Sequence, residues 1–337
     1  MELPVRAAPA DNAMQLHATG LNAWNQLIFE PSSVEGEPDD IFSFANVLEA
    51  QQIGRIEAQV SYTAVHRNKT WCLAGASPGG LLGVGSTTES LFDRPSAISA
   101  DGKVLTVAQR NEQGTLESSQ AIVEYPHLAA WKASESTHSW PSKSKVRQIA
   151  AYDAGFIILH EDGSVSTSGD PRFADCLGRE VNEFNPPNVP STVSDLSELG
   201  EPIKKVAAGG YTVAALTEGG GLYLWGAEST GSHSRHRTFS DLSGIPNYVE
   251  VDGDKDVEDI AVGESHAIAL TTDGSIYVVG DNTNGQLGMG RGFKGPAESW
   301  VHVAFNPPPD LKARDEPPFY QNRSIEPNDL SIVQGIS

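Results

Sequence analysis

The sequence predicts an all-β protein, a β-propeller of six to seven four-stranded blades, closed by pairing the N- and C-terminal segments in one blade. Three observations predict this fold. A hairpin unit recurs along the chain, the chain begins with the second half of that unit, and it ends with the first half. Because a single hairpin cannot bury its apolar face in water, the unit needs copies of itself to pack against.

The best-preserved unit runs from Ile260 to Gly290. Two alternating apolar runs, Ala267 to Leu270 and Ile276 to Val279, flank the hairpin signal Thr271-Thr272-Asp273-Gly274. A glycine-rich segment then carries the chain away. The unit therefore predicts two antiparallel strands joined by a tight turn. Degenerate copies precede it, and the predicted units lie near 56–85, 98–120, 149–180, 206–235 and 260–290, with the one near 98–120 the most degenerate.

The two ends of the chain carry complementary halves of the unit. His17 to Leu27 matches Tyr277 to Leu287, whereas Ile332 to Ser337 matches Ile260 to Ser265. We therefore expect one domain over 1–337, with a shared closing blade formed by 14–28 and 330–337. Ring closure removes the open edges that a linear array would leave, and an open solenoid would favour complete capping units instead. A seventh hairpin is expected, if present, near 121–145 or after 290.

The order G-x-x-H-x-x-x-L, then D-G, then Y-x-x-G-x-N-x-x-G-Q-L-G-x-G resembles the repeat of the regulator of chromosome condensation family. The resemblance covers nearly the whole chain, and it implies a propeller around a central channel, usually with seven blades. It also implies that His266 is a position of the repeat rather than a catalytic residue. The match is carried by Gly263, His266, Leu270, Asp273, Gly274, Tyr277, Gly280, Asn282, Gly285, Gln286, Leu287 and Gly288.

The charge and composition exclude several classes of protein. The chain has 44 acidic and 23 basic residues and a net charge of −21, with no basic patch of any length, so we expect no direct binding to nucleic acid. No apolar run has the length of a membrane-spanning helix, and the N-terminus lacks the apolar core of a secretory signal. We expect a monomeric protein of the nucleus, the cytoplasm or both, with reduced thiols at Cys72 and Cys176.

The candidate binding residues lie where the repeats stop resembling each other. Loop insertions are predicted at 176–202, 228–248 and 306–328, and long loops are often functional. Acidic loops attract basic partners, although the same residues also serve as solubilising or solvated loops. Trp24 and Trp225 are candidate aromatic anchors, but the alternation around Trp225 favours core packing. The candidate partner-binding residues are Arg235, His236, Arg237, Phe319, Tyr320, Asp252, Asp254 and Asp256.

Catalytic chemistry finds little support in the sequence. His233 and His236 have no third metal ligand at a sensible spacing, and no nucleophile is paired with a base. The glycine run at 219–221 is followed by no Lys-Ser or Lys-Thr. We therefore expect no catalytic, metal or cofactor-binding residues and no cofactor.

Three functions remain, and all take a protein partner. The first is a non-enzymatic interaction scaffold that binds a basic protein or a histone-modifying enzyme. The histone-modifying partner is implied by a local resemblance of Val60 to Val65 to the short, chromatin-associated branch of the family, the domain-containing protein 1 type. The second, also implied by the family, is nucleotide exchange on a Ran-like small GTPase. The third is an adaptor in diphthamide or tRNA modification. We favour the scaffold over nucleotide exchange because the sequence lacks the basic N-terminal tail and the exchange insertion that the resemblance implies for exchange factors.

Ring closure makes a testable prediction. Removing Leu330 to Ser337 should lower the thermal midpoint of unfolding by several degrees, because the closing blade would lose its inner strand. Calorimetry of the full chain and the shortened chain measures the effect. An unchanged midpoint would rule out closure through this segment.

Overall fold

The computed structural model describes residues 13–29, 39–78, 90–110, 119–227, 239 and 242–304. Six antiparallel sheets occupy these residues and follow one another along the chain, which confirms the predicted all-β propeller. We number them blade 1 to blade 6. Blade 1 contains β1 (Met14–Gly20) and β2 (Ile41–Ala50); blade 2, β3 (Ile53–Gln59), β4 (Tyr62–Arg67) and β5 (Thr70–Gly75); blade 3, β6 (Ser96–Ile98), β7 (Val104–Arg110), β8 (Ser119–Tyr125) and β9 (His138–Pro141).

The remaining three blades each have four strands among the described residues. Blade 4 contains β10 (Val146–Tyr152), β11 (Gly155–His160), β12 (Val165–Gly169) and β13 (Ser191–Thr192); blade 5, β14 (Ile203–Gly209), β15 (Thr212–Thr217), β16 (Leu222–Gly226) and β17 (Asn247–Tyr248); blade 6, β18 (Val257–Val262), β19 (His266–Thr271), β20 (Ile276–Gly280) and β21 (Ala297–Val303). Two short helices, α1 (Leu128–Ala133) and α2 (Ser194–Ser197), lie in the connections.

The strands of each blade pair in sequence order, which gives the ring two distinct faces. We call the upper face the one that carries the turns between first and second strands, such as Asp153, Tyr211 and Glu264. The lower face carries the turns between second and third strands and the links from one blade to the next, such as 249–256. First strands line a central cavity of 790 Å³.

Apolar cores between neighbouring blades join the described sheets into a closed circuit. Each core takes residues from two successive blades, and the last returns to the first. Two hydrogen bonds also join blade 6 to blade 1: the Thr19 hydroxyl donates to Gly285 O at 2.6 Å, and Gly290 N donates to Phe42 O at 2.7 Å. The shared cores include Leu48 with Val65 (blades 1 and 2), Ala64 with Val104 (2 and 3), Leu105 with Ile158 (3 and 4), Leu159 with Val206 (4 and 5), Leu216 with Ile260 (5 and 6) and Val278 with Phe44 (6 and 1).

The ends of the chain fit this circuit only in part. Gly20 pairs with Ile41 as Gly280 pairs with Ala297, so β1 and β2 take the third and fourth positions of a blade. The segment expected to supply the inner strands, 330–337, lies outside the described residues. Pairing of the two termini therefore stays a prediction.

Several boundaries of blades and loops in the structure differ from the predicted ones. The residues near 121–145 do not form a seventh hairpin, because β8 and β9 are the outer strands of blade 3. Blade 3 is hard to recognise because its first strand has only three residues, Ser96 to Ile98. The insertions at 176–202 and 228–248 are also shorter than predicted, since β13 and β17 complete blades 4 and 5.

The recurring glycine at the end of the third strand has a steric cause. Gly280 has a φ of +107°, and a Cβ built there would lie 2.2 Å from the carbonyl oxygen of Ser265 in the first turn. The next residue, Asp281, donates its backbone N–H to that same oxygen at 2.8 Å. Third strand and first turn can approach this closely only without a side chain at the glycine. The same contact joins Gly75 to Ser61 O and Gly226 to Tyr211 O.

The Asn and Gln of the repeat hold the loop that follows this glycine. Asn282 Oδ1 accepts the N–H of Leu287 at 3.1 Å, and Gln286 Oε1 accepts that of Asn284 at 2.8 Å. The Asn and Gln of the motif thus act as a clamp that fixes the loop. This role explains why His17 to Leu27 matches Tyr277 to Leu287. In the N-terminal copy, Asn22 accepts from Leu27 at 3.0 Å, Gln26 accepts from Trp24 at 2.9 Å, and Gln26 Nε2 donates to Val60 O of blade 2 at 3.0 Å.

Polar side chains of the first strands also join neighbouring blades near the central cavity. Arg55, Gln148 and Lys205 occupy the same position of the first strand in blades 2, 4 and 5, just before an apolar residue. Each reaches the following blade, so the position supplies a polar bridge around the ring. Arg55 donates to the carbonyl oxygens of Phe92 (3.0 Å), Arg94 (2.7 Å) and Ser96 (2.8 Å), Gln148 to that of Val206 (2.7 Å), and Lys205 forms an ion pair with Asp259.

We predict that Gly280→Ala destabilises the ring far more than Gly274→Ala. Both glycines have a positive φ, but a Cβ at Gly274 meets nothing within 4 Å. The backbone penalty alone should cost about 1 kcal/mol at Gly274. Displacing Ser265 should raise the cost at Gly280 to about 3 kcal/mol. Urea unfolding measures both free energies, and equal losses would refute the close approach as the reason for the glycine.

Candidate functional site

Three of the candidate binding residues lie together on the lower face. Asp252, Asp254 and Asp256 are exposed in the link between β17 and β18. The other candidates, Arg235, His236, Arg237, Phe319 and Tyr320, lie outside the described residues.

The link is held in one shape by left-handed backbone and by tyrosine hydroxyls. Asp252 and Asp254 have φ values of +43° and +65°, a conformation in which Asp is among the better tolerated residues. Tyr277 donates its hydroxyl to Asp252 Oδ2 at 2.6 Å, and Tyr248 donates its hydroxyl to Asp254. The bond to Asp254 raises the pKa of Tyr248 to about 12, because the bound hydroxyl gives up its proton less readily. The two carboxylates are thereby held outward on a fixed loop.

A lysine of the chain itself neutralises part of this acidic surface. The Nζ atom of Lys255 lies 2.7 Å from the hydroxyl of Tyr277, 3.1 Å from Asp273 and 3.4 Å from Asp252. It also lies 5.1 Å from the centre of the Tyr277 ring. The Tyr277 hydroxyl and then Lys255 hold the pKa of Asp252 below its usual range, so this carboxylate stays charged in mildly acidic solution.

Acidic residues are dense from Glu250 to Glu264, and two more residues of this run are paired with lysines. Glu258 binds Lys204 at 3.1 Å, and Asp259 binds Lys205. The run therefore does not form one continuous attractive surface, as its composition alone would indicate. Lys204 and Lys205 lie one repeat before Glu258 and Asp259 in the sequence. Only an alignment of the repeats could therefore have indicated that these residues pair.

The carboxylates of the links and turns on this face, including the two that share Lys255, form a band across blades 5 and 6, which we call the acidic arc. Successive links and turns are held next to each other, since Glu218 N donates to Pro202 O at 3.0 Å and Thr272 N donates to Asp256 O at 3.0 Å. All members are exposed except Glu201, which is half-buried. The acidic arc comprises Glu198, Glu201, Glu218, Glu250, Asp252, Asp254, Asp256 and Asp273.

The upper face also carries acidic residues, and it exposes two large aromatic side chains. Asp153 and Glu264 line the mouth of the central cavity, and burial raises the pKa of Asp153. Trp24 is 45% exposed, and Phe184 is 95% exposed at the tip of the loop after β12. Ala227 N donates to Tyr211 O at 3.1 Å, so the loop predicted at 228–248 leaves blade 5 from this upper face. It therefore departs from the opposite side of the ring to Asp252, Asp254 and Asp256.

Two side chains singled out from the sequence are architectural. His266 is buried, and a Cβ at Gly263 would lie 2.2 Å from its ring, so the glycine makes room for the histidine. Trp225 is completely buried and donates its indole N–H to Cys176 O at 3.0 Å, which confirms its assignment to the core.

The described ranges contain neither a metal-binding cluster nor a membrane-spanning helix. In that part of the chain no three His, Cys, Asp or Glu side chains come together as a metal site. Likewise, none of its helices has both the length and the apolar character needed to cross a membrane.

Both cysteines are free thiols in the structure. Cys72 is half-buried, whereas Cys176 is buried and its Sγ lies 3.4 Å from Tyr211 O. Burial raises the pKa of Cys176 to about 12, because the thiolate would lose its hydration. Cys176 is thus a packing residue at physiological pH.

Comparison with known proteins agrees with the repeat and the fold. Residues 257–286 match the model of the regulator of chromosome condensation (RCC1) repeat. The regulator of chromosome condensation of Mus musculus is 29% identical over 197 residues, which cover 56% of this chain and 41% of the relative. The E3 ubiquitin-protein ligase HERC2 of Homo sapiens is 34% identical over 138 residues, which cover 41% of this chain and 3% of the relative. The aligned part of the chain thus spans less than half the length of these relatives.

Solved structures of low sequence identity share the fold. Prp20p from Saccharomyces cerevisiae has a TM-score of 0.56 at 14% identity, covering 88% of this chain and 87% of that one. Human WBSCR16 has a TM-score of 0.51 at 18% identity, covering 87% and 80%. The chain carries an RCC1 repeat and has the fold of an RCC1-like propeller.

The raised pKa of Cys176 makes a kinetic prediction. At pH 8 a disulfide reagent should modify Cys176 in the native protein about a thousandfold more slowly than in urea, because so little thiolate is present. Absorbance of the released thiolate follows the reaction, and Cys176→Ser should remove the slow phase. The rate should rise with pH, towards the raised pKa. Equal rates in native and unfolded protein would show that this thiol is not buried in solution.

Proposed function

We propose that this RCC1-like propeller is a non-enzymatic interaction scaffold that binds a basic protein through the acidic arc on its lower face. The observation that carries the proposal is the exposure of Asp252, Asp254 and Asp256 on one link, with the carboxylates of Asp252 and Asp254 held by tyrosine hydroxyls. Exposed carboxylates of one sign attract a basic surface and speed its encounter with the protein. The net charge of −21 adds to this attraction over a longer range.

Two further observations support a basic protein partner. The yeast propeller of the same fold, Prp20p, is described by its binding properties to Gsp1p and histones, and histones are basic proteins. Within the acidic arc, the hydroxyl bonds and left-handed turns fix the carboxylates before binding. A prearranged surface loses less conformational entropy when a partner docks.

Charge-removing variants test the proposal with purified core histones as the probe. The triple variant Asp252→Asn, Asp254→Asn, Asp256→Asn keeps hydrogen-bond acceptors and removes three charges. Its dissociation constant, measured by fluorescence anisotropy, should be about tenfold weaker, because exposed ion pairs contribute little individually but add when several act together. Added salt should weaken the wild type more than the variant.

A matched variant controls for net charge. Glu135→Gln, Glu180→Gln, Glu183→Gln also removes three charges, from exposed positions of blades 3 and 4. This control should bind within about twofold of wild type, since its charges lie outside the acidic arc. Equal weakening in both variants would mean that only the overall charge matters. No binding by the wild type would overturn the proposed function.

Nucleotide exchange on a small GTPase is the second candidate, and an upper-face observation favours it. Phe184 is almost fully exposed, yet its loop is braced by Arg179, which donates to the carbonyl oxygens of Asn185, Pro186 and Val189 at 3.1 Å each. One relative in Mus musculus is named an RCC1-like G exchanging factor-like protein. Faster release of labelled GDP from a Ran-type GTPase, with catalytic amounts of this chain, would select this function over a passive scaffold.

A further inference from the structure

Blades 5 and 6 carry similar notches on the lower face, but among the described residues only the blade 6 notch contains a lysine. In blade 6 the second residue of the third strand, Tyr277, packs against His302 with ring centres 5.3 Å apart. In blade 5 the equivalent residue, Tyr223, packs against Tyr248 at 5.7 Å. Each ring pair is formed between the third and fourth strands, at the same register.

The backbone identifies the residue equivalent to Lys255. Thr272 N donates to Asp256 O in blade 6, and Glu218 N donates to Pro202 O in blade 5, both at 3.0 Å. The residue before Asp256 is Lys255, and the residue before Pro202 is Glu201. Glu201 therefore stands where blade 6 has its lysine, and the charge at this position is reversed.

The blade 6 notch shows what its chemistry binds. There the ammonium of Lys255 lies 2.7 Å from the Tyr277 hydroxyl, 5.1 Å from the ring centre and within 3.4 Å of Asp273 and Asp252. A tyrosine face with two carboxylates is thus a site for an alkylammonium group, stabilised by ion pairing and by attraction to the ring.

The blade 5 notch keeps the tyrosine but draws its carboxylates from other positions, because Gly219 stands where blade 6 has Asp273. Among the described residues no lysine or arginine is bonded to these carboxylates. Glu201 accepts the N–H of Gly219, and Asp254 accepts the hydroxyl of Tyr248, which is 49% exposed. Gly221 adds room, since a Cβ there would lie 3.5 Å from the Tyr223 ring and 3.7 Å from the Tyr248 ring. In blade 6 the equivalent residue is Ser275. The blade 5 notch thus combines the Tyr223–Tyr248 ring pair with Asp254 on the Tyr248 hydroxyl and Glu201 on the neighbouring turn.

We infer that the blade 5 notch, formed by Tyr223, Tyr248, Glu201 and Asp254, binds a lysine or arginine side chain of the partner. The partner's cation pairs with Glu201, which stands at the position of Lys255, and lies against the tyrosine rings. This inference rests on the proposed function, because the notch lies within the acidic arc. It narrows the partner to a protein with an exposed basic side chain on an extended segment that can enter the notch.

The test uses two labelled octapeptides as probes, one alternating lysine and serine and the other alternating arginine and serine. Anisotropy titrations at low ionic strength give the dissociation constants and, at high protein concentration, the stoichiometry. Tyr248→Ala should weaken binding about fivefold by removing the exposed ring. Glu201→Lys should weaken it at least about tenfold, because the new lysine fills the notch as Lys255 does. Glu201→Gln, which removes the charge without filling the notch, should weaken it only about twofold to threefold.

The reciprocal variant tests the equivalence of the two notches. Lys255→Ser empties the blade 6 notch while keeping Tyr277, Asp252 and Asp273, so a second peptide should bind per chain. Melting curves establish that each variant is folded, since all these changes are at the surface. The preferred peptide shows whether the notch selects an ammonium or a guanidinium group.

The outcomes separate the inference from the proposed function. If Glu201→Lys and Tyr248→Ala bind the peptides like wild type, or Lys255→Ser gains no second site, the inference is overturned. Weaker histone binding by the triple Asp→Asn variant would then still support the proposed function. If wild type binds neither the peptides nor histones, both are overturned.

Discussion

The contact on which this fold depends is the close approach of the third strand of a blade to the carbonyl of the first turn. At Gly280 the missing Cβ lets Ser265 O reach the backbone, and Asp281 then donates to the same oxygen. The contact fixes where the chain leaves the blade, so that the Asn282 and Gln286 clamp can lie against the next blade. The glycine recurs at this position in blades 2, 5 and 6, whereas the Asn and Gln clamp with its leucine is formed at the exits of blades 1 and 6, where the sequence match is clearest.

Much of the fold could be predicted from the sequence for this reason. Hairpins and glycine-rich exits have local signals, and the copy ending at Leu27 shares its glycine, asparagine, glutamine and leucine with the copy ending at Leu287. Blade 3 is recognised poorly because its first strand is short and its turn differs from the others. The polar bridges from Arg55, Gln148 and Lys205 have no such signal, since each joins residues that are distant in sequence and their types differ.

The candidate site was predicted less completely. Asp252, Asp254 and Asp256 do lie together and are exposed, but composition could not show that Lys204, Lys205 and Lys255 neutralise their neighbours. Ion pairs between blades depend on how the sheets pack, which a linear charge run does not reveal. Conversely, the aligned repeats do show that Lys255 of blade 6 is replaced by the oppositely charged Glu201 in blade 5. Only the structure shows that both positions belong to notches that contain a paired tyrosine ring. Positions that repeat form the ring, and positions that differ between repeats carry the differences in charge on which the proposed recognition rests.

The division between a maintained ring and a binding lower face can be tested by hydrogen–deuterium exchange of the full chain with and without core histones. The proposed account expects slower exchange in the link 249–256 and in the turns at 217–221 and 271–275, where the acidic arc lies. It expects unchanged exchange in the upper-face turns near Asp153 and Tyr211. Protection confined to the upper face, with the acidic arc unaffected, would contradict the account.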